Sequence, residues 1–191
     1  MVESVHRIVS SESEELILVD DNDVEIGTLS KAACHDGEGI LHRAFSLFIF
    51  NTRGELLLQQ RSAAKRLWPL FWSNSCCSHP RAGETMDVAV GRRLQQELGL
   101  SGELEFIYKF AYQANFGEAG SEKELCSVFL GRTDASAVAN ANEIAGVRYV
   151  TAQQLNRELQ DEPERFTPWF QMEWQRLTTD FADRLATYTK V

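Results

Sequence analysis

Residues 42–60 read HRAFSLFIFN, then Thr52-Arg53-Gly54, then ELLLQQ: two apolar, strand-like runs with only a short turn between them. So short a connection makes a hairpin and leaves no room for a crossover helix. The same signature occurs upstream, where residues 15–20 and 24–29 flank Asp21-Asn22-Asp23. Further strand-like runs lie at 103–114, 123–132 and 147–150. Between them, residues 85–98 place Val90, Leu94 and Leu98 at i, i+4 and i+8, the stripe of a buried helix face, and Gly99 stops the helix. Two more helices are expected over 152–159 and 163–188. Hairpin links, interspersed helices and no regular βαβ alternation predict an α+β sandwich with a mixed β-sheet and β-hairpins.

No internal repeat, Ser/Gly linker or charge block divides the chain, so residues 1–191 are expected to form one domain, with 1–13 a poorly ordered N-terminal extension. No stretch approaches the roughly 20 apolar residues of a membrane span. Met1-Val2-Glu3-Ser4 lacks the basic and apolar regions of a secretory signal, which points to the cytoplasm. The 19 Lys and Arg against 28 Asp and Glu give a net charge of −9, which argues against a nucleic-acid surface. An anionic ligand must then be small and held by a local cation cluster or by metal ions. Cys34, Cys76, Cys77 and Cys126 include an adjacent pair and form no secreted disulfide framework, so they are expected as free thiols.

The densest chemistry lies in residues 74–100, NSCCSHPRAGETMDVAVGRRLQQELGL. Cys76 and Cys77 are too close for a CxxC redox motif; on a strand one faces the core and its neighbour a cleft, where a thiol beside His79 could act as acid, base or nucleophile. Arg93 and Glu97 share a helix face at i, i+4, a spacing whose ordinary reading is a surface ion pair. His35, His42 and His79 supply imidazoles that suit a transition metal, and Glu122-Lys123-Glu124 places two carboxylates on one face of a strand. Spacing alone favours a solvated charged turn for the latter. Lys31, Arg61 and Lys65 could anchor a phosphate. Among the four tryptophans, Trp169, beside Pro168 at a helix start, is the best pocket candidate.

Taken in order, KAACHDGEGILHRAFSLFIFN, LLLQQRSAAK, WSNSCCSHP, GETMDVAVGRRLQQELG, Tyr112 with Glu122-Lys123-Glu124, and Thr167-Pro168-Trp169 resemble the type I isopentenyl-diphosphate isomerases of the Nudix-fold superfamily. The resemblance runs over most of the chain, from about Glu15 to Trp174. It implies a Nudix-like α/β/α sandwich, and an isomerase of isoprenoid biosynthesis that interconverts isopentenyl and dimethylallyl diphosphate by protonating and deprotonating carbon. It further implies one divalent ion (Mn, Zn or Mg) on His35, His42, His79, Glu122 and Glu124. Cys77 and Glu124 match the catalytic thiol and carboxylate, and Tyr112 an active-site phenol. Glu97 matches the ligand of a magnesium ion on the substrate diphosphate. Lys31, Arg61, Lys65 and Arg93 match its cationic anchors, and Trp169 the aromatic lid over the hydrocarbon. Partners are then a small-molecule diphosphate, with no nucleic acid or membrane, and a monomer is expected.

The chain departs from the hydrolytic Nudix box. Ser78 replaces its first glycine, and Arg93 and Gln96 stand where two acids belong, leaving Glu97 before Gly99. That change disfavours the alternative, a pyrophosphohydrolase of a nucleoside diphosphate-type substrate. A silent diphosphate- or metal-binding module is the alternative from another class. Leu70 in WPLFW occupies a position where the family often has glycine.

Overall fold

The protein is seen in a computed structural model that describes residues 7–190. Its first hairpin joins β1 (Glu15–Val19) to β2 (Glu25–Ser30), antiparallel as the turn residues require. A four-residue helix, α1 (Lys31–Cys34), leads to β3 (His42–Phe50), the strand on which the sheet is organised. β3 is flanked in parallel by β8 (Ser121–Arg132) from His42↔Glu124 to Phe50↔Arg132. β7 (Leu104–Asn115) pairs antiparallel with β8. β4 (Leu56–Arg61) pairs with β5 (Trp72–Ser73) and β9 (Ile144–Val150), and β6 (Cys76–Ser78) with β3.

The hairpin expected at 42–60 is therefore only partly a ladder. β3 and β4 pair at Phe50↔Leu56 alone, and β4 then diverges to pair with β9. The short turn fixes the reversal of the chain, but burial on both faces lets distant strands take the remaining edges.

β3 reads as a nearly continuous apolar run because both faces of the sheet are covered. Phe45, Leu47 and Ile49 pack with Leu57 against Val90, Leu94 and Leu98 of α2 (Met86–Leu98). Ala44, Phe48 and Phe50 face the other way, toward Leu155 of α3 (Ala152–Asp161), Phe170 and Trp174 of α4 (Pro168–Thr179) and Leu185 of α5 (Ala182–Thr189). This is an α/β/α sandwich with a mixed sheet. α2 ends as read from the sequence, Gly99 taking φ +65.

The single helix expected over 163–188 is instead a 3₁₀ turn at Pro163–Arg165 followed by α4 and α5. Phe166 and Thr167 are extended, as the residue before a proline prefers, and Phe181 leaves helical geometry between α4 and α5.

Of the expected N-terminal extension, residues 1–6 lie outside the described residues. Residues 7–13 lie against the domain: the Val9 carbonyl accepts from Arg93 Nη1 at 2.9 Å, and Ala32 N–H donates to the Glu12 carbonyl at 2.9 Å. Among the described residues no helix is long and apolar enough to cross a membrane.

Candidate active site

Four elements converge at one end of the central strands. The parallel register of β3 and β8 sets His42 opposite Glu124, and the period of two puts Glu122 on the same face as Glu124. His35 follows α1, and the turn carrying it touches the start of β8, where Ser121 N–H donates to the His35 carbonyl at 3.0 Å. A Cβ on Gly120 would meet that carbonyl at 2.2 Å, so glycine is what allows this approach. His79 enters just after β6.

The donor atoms of His35, His42, His79, Glu122 and Glu124 lie within 4.8 Å of one another. His35 Nδ1 and His42 Nδ1 each face a backbone carbonyl, of Lys31 and Ile40 respectively, at 2.7 Å. A carbonyl accepts only, so both Nδ1 atoms carry the proton and both Nε2 lone pairs point into the cluster. His35 Nε2, His42 Nε2 and Glu122 Oε2 are buried and have no hydrogen-bond partner among the described residues, although His35 Nε2 and Glu122 Oε2 are 2.7 Å apart. Buried polar atoms are nearly always paired. Converging orphaned donors of this kind fit a divalent cation.

The electrostatics agree. Burial, reinforced by the like charges of His42 and His35, holds the His79 imidazole well below its ordinary value. Burial also opposes charge on His35, but the Glu122 carboxylate outweighs it and raises that ring. Burial would raise Glu124, and the His42 ring 3.7 Å from its Oε1, together with the hydrogen bond from Tyr112, instead lowers it. Tyr112 Oη donates to Glu124 Oε2 at 2.5 Å, and His79 Nε2 lies 2.7 Å from Glu124 Oε1.

Beside this cluster opens a cavity of about 390 Å³ lined by Cys77, Glu124, Tyr112, Trp169 and the cations Lys31, Arg61, Lys65, Arg66 and Arg93. β6 pairs with β3 at Leu47↔Cys76 and Ser46↔Cys77, and its pleat sends Cys76 into the core with α2 and Cys77 to the opposite side. All four cysteines are free. Poor solvation pushes the Cys77 thiol up to about 12, with the Arg61 guanidinium pulling the other way. Cys77 is therefore protonated at neutral pH in this state.

Arg61 has a more specific setting than an anion anchor alone. Its Nε and Nη2 donate to the carbonyls of Trp68 and Leu67, its Nη1 lies 3.8 Å from Cys77 Sγ, and its guanidinium sits 5.1 Å from the Trp169 ring. Leu70 takes φ +64, the left-handed conformation that favours glycine, and keeps the turn with its N–H on the Arg61 carbonyl. The strain is of the order of 1–2 kcal/mol for an L residue.

The Arg93–Glu97 pair, whose spacing reads as a surface contact, is buried, each side chain 3% exposed. Lys31 carries a loose ion pair to Glu12 at 3.6 Å.

Two acids of this region escaped the sequence reading. Glu143 lines the cavity and touches Lys65 and Arg93. Glu173, one helical turn after Trp169, is fully buried, accepts from Cys126 Sγ at 3.4 Å, and burial pushes it up to about 8. Neither stands in a motif, and the only sequence signal is a carboxylate in an otherwise apolar setting.

Residues 40–170 match the NUDIX domain family. Isopentenyl-diphosphate Delta-isomerase 1 of Photorhabdus laumondii subsp. laumondii is 40% identical over 174 residues, covering 90% of this chain and 99% of that protein. The Isopentenyl-diphosphate Delta-isomerase of Serratia proteamaculans is 44% identical over 157 residues, covering 82% of this chain and 87% of that protein. Among solved structures, a Deinococcus radiodurans protein shares the fold with a TM-score of 0.65 at 24% identity, over 78% of this chain and 90% of that one. The MutT protein of Methanosarcina mazei does so with a TM-score of 0.58 at 20% identity, over 79% of this chain and 96% of that one.

Proposed function

The chain belongs to the Nudix-domain family and, within it, to the isopentenyl-diphosphate Delta-isomerases, and from that premise we propose that it interconverts isopentenyl and dimethylallyl diphosphate. The observation that carries this reading is the pairing, in one cavity, of a thiol and a carboxylate with the aromatic rings of Trp169 and Tyr112.

Moving the double bond of an unactivated alkene means adding a proton to one carbon and removing one from another. An acid and a base must flank a flat C5 unit, and the intermediate is a tertiary carbocation. Of the titratable groups in the cavity wall, Cys77 and Glu124 take the two proton transfers in this reading. In either direction one gives its proton while the other receives one. Indole and phenol faces stabilise a cation without attacking it, by roughly 0.5–2 kcal/mol per contact. Tyr112 also orients the Glu124 carboxylate through its hydroxyl. Trp169, 2% exposed and edge-on to Trp68, keeps water from the reacting carbons.

His35, His42, His79, Glu122 and Glu124 would hold one divalent ion, manganese, zinc or magnesium, which supplies a fixed positive charge beside the Glu124 carboxylate. Lys31, Arg61, Lys65 and Arg93 bind the diphosphate, with Glu97 beside Arg93 for the magnesium that accompanies it. A hydrolase of this fold needs acids where Arg93 and Gln96 stand. Residues 1–191 act as a single domain, a cytoplasmic monomer in this reading.

The deciding experiment is NMR of isopentenyl diphosphate incubated with the protein in heavy water. Deuterium on carbon in the dimethylallyl product, with no inorganic phosphate released, is the expected result. Release of phosphate or of a nucleoside monophosphate, with no deuterium on carbon, makes this a hydrolase.

Lys31 gives a second test. Lys31→Met keeps the stem and removes the charge, at a side chain whose ion pair to Glu12 is loose. A charge-assisted bond is worth about 1.5–3 kcal/mol, so KM is expected to rise ten- to a hundred-fold, with the effect falling on KM rather than kcat. An unchanged KM removes Lys31 from the diphosphate subsite.

A further inference from the structure

Glu143 stands immediately before β9, and its position is fixed from two sides. Its carbonyl accepts from Ser62 N–H at 2.9 Å, at the start of the loop that carries Lys65. Its own N–H donates to the Asn140 carbonyl at 2.9 Å, and Asn140 N–H donates to the Glu97 carbonyl at 2.8 Å, at the end of α2. The carboxylate so placed lines the cavity, is buried, and accepts from Lys65 Nζ, from Arg93 Nη2 at 3.3 Å and from Ser10 Oγ at 3.0 Å. Burial would raise its pKa, but Lys65 and Arg93 outweigh this and bring it down to about 2, so it is charged at any working pH.

Two of the four cations assigned to the diphosphate, one on a loop and one on α2, are thus held by one acid that reaches them from the turn before β9. The cations also oppose one another. Lys65 disfavours the charge on Lys31 by repulsion, and Glu143 favours it. Without a fixed negative charge here, the flexible Lys65 side chain would move away from Lys31 and Arg93, and an anion would have to gather the three again on binding.

We propose that Glu143 is a positioning residue of the diphosphate subsite: its carboxylate holds Lys65 and Arg93 together, so that their remaining N–H groups meet the anion already arranged. This deepens the functional reading above and rests on it. Glu143 acts through the two cations and touches no reacting atom.

The test uses the full chain, with inorganic diphosphate and its magnesium complex as calorimetric probes and steady-state kinetics beside them. Glu143→Gln keeps shape and removes charge; Glu143→Asp keeps charge. Glu143→Gln is expected to weaken diphosphate binding at least ten-fold and raise KM by a similar factor, with the effect on kcat under three-fold. Glu143→Asp is expected to recover at least a third of the lost affinity, provided its melting temperature stays near that of the wild type. In a Lys65→Met background the loss on Glu143→Gln should shrink by at least three-fold, which a purely structural role would not produce.

Unchanged or tighter diphosphate binding by Glu143→Gln overturns the proposal, as does an equal loss in both backgrounds. Should Glu143→Gln fail to fold, a folded Glu143→Asp that binds no better than Lys65→Met overturns it too. A wild type that neither binds diphosphate nor isomerises overturns the functional reading itself, and is distinguishable because it appears before any substitution.

Discussion

Cys77→Ala is expected to lose at least a thousand-fold in kcat, on the order of 4 kcal/mol, while keeping the fold and the ion-binding cluster. Only Sγ is removed, from a β6 residue whose backbone is fixed by pairing with Ser46 of β3. Cys77 is not among the five clustered donors, so their geometry has no reason to change. What disappears is a proton-carrying atom in a wall of the cavity. Bulk water is a poor substitute, because proton transfer at carbon without a positioned group has a high barrier. Cys77→Ser retains a proton but at an alkanol, whose acidity is far below that of a thiol near 8.5, so it too should be severely impaired. The measurement is kcat alongside a melting curve and elemental analysis. A variant that folds, binds its ion and turns over within ten-fold of the wild type removes Cys77 from the chemistry.

The residues of this wall were legible in the sequence to the extent that they are local. The 74–100 block fixes β6, the turn after it and α2 by short-range pattern alone: strand pleat for Cys76 and Cys77, a 3.6 period for Val90, Leu94 and Leu98, glycine at the end. Hairpin turns made the mixed α+β sandwich readable in the same way. The parallel ladder of β3 with β8 was not, because its partners are some 80 residues apart and no local pattern encodes register. Yet that ladder puts His42 opposite Glu124 and so assembles the cluster. The same limit hid Glu143, whose cationic partners are 78 and 50 residues away in sequence. Arg93 and Glu97 illustrate the converse. Their i, i+4 spacing was visible, but spacing is identical on a solvated helix face and a buried one, and only the cover supplied by Val9 and Glu143 distinguishes the two.

Loading the protein with a divalent ion is expected to produce the second large effect. An ion bound at a thousand times its dissociation constant adds about 4 kcal/mol to stability, which for a chain of this size raises Tm by roughly 8–16 °C. The physical source is the crowding of three imidazoles with ring centroids 4.8–5.3 Å apart, and the orphaned Nε2 atoms of His35 and His42 beside Glu122 Oε2. These groups satisfy one another poorly and a cation well. Five protein donors exceed the closed tetrahedral set of a structural zinc, so the ion should be exchangeable and needed for turnover. Exhaustive chelation should abolish activity and lower Tm, and re-addition should restore both. Protons compete with the ion for the imidazoles, so its affinity falls as the pH is lowered. Because Glu122 holds His35 above its ordinary value, that competition begins at a higher pH than an unperturbed imidazole would impose. Manganese, zinc and magnesium should be titrated separately with Tm as the readout, since stability reports binding whether or not a given ion supports catalysis. Full turnover by protein shown by elemental analysis to be metal-free, or a Tm indifferent to all three ions, would leave the cluster a hydrogen-bonded set of side chains and no metal centre.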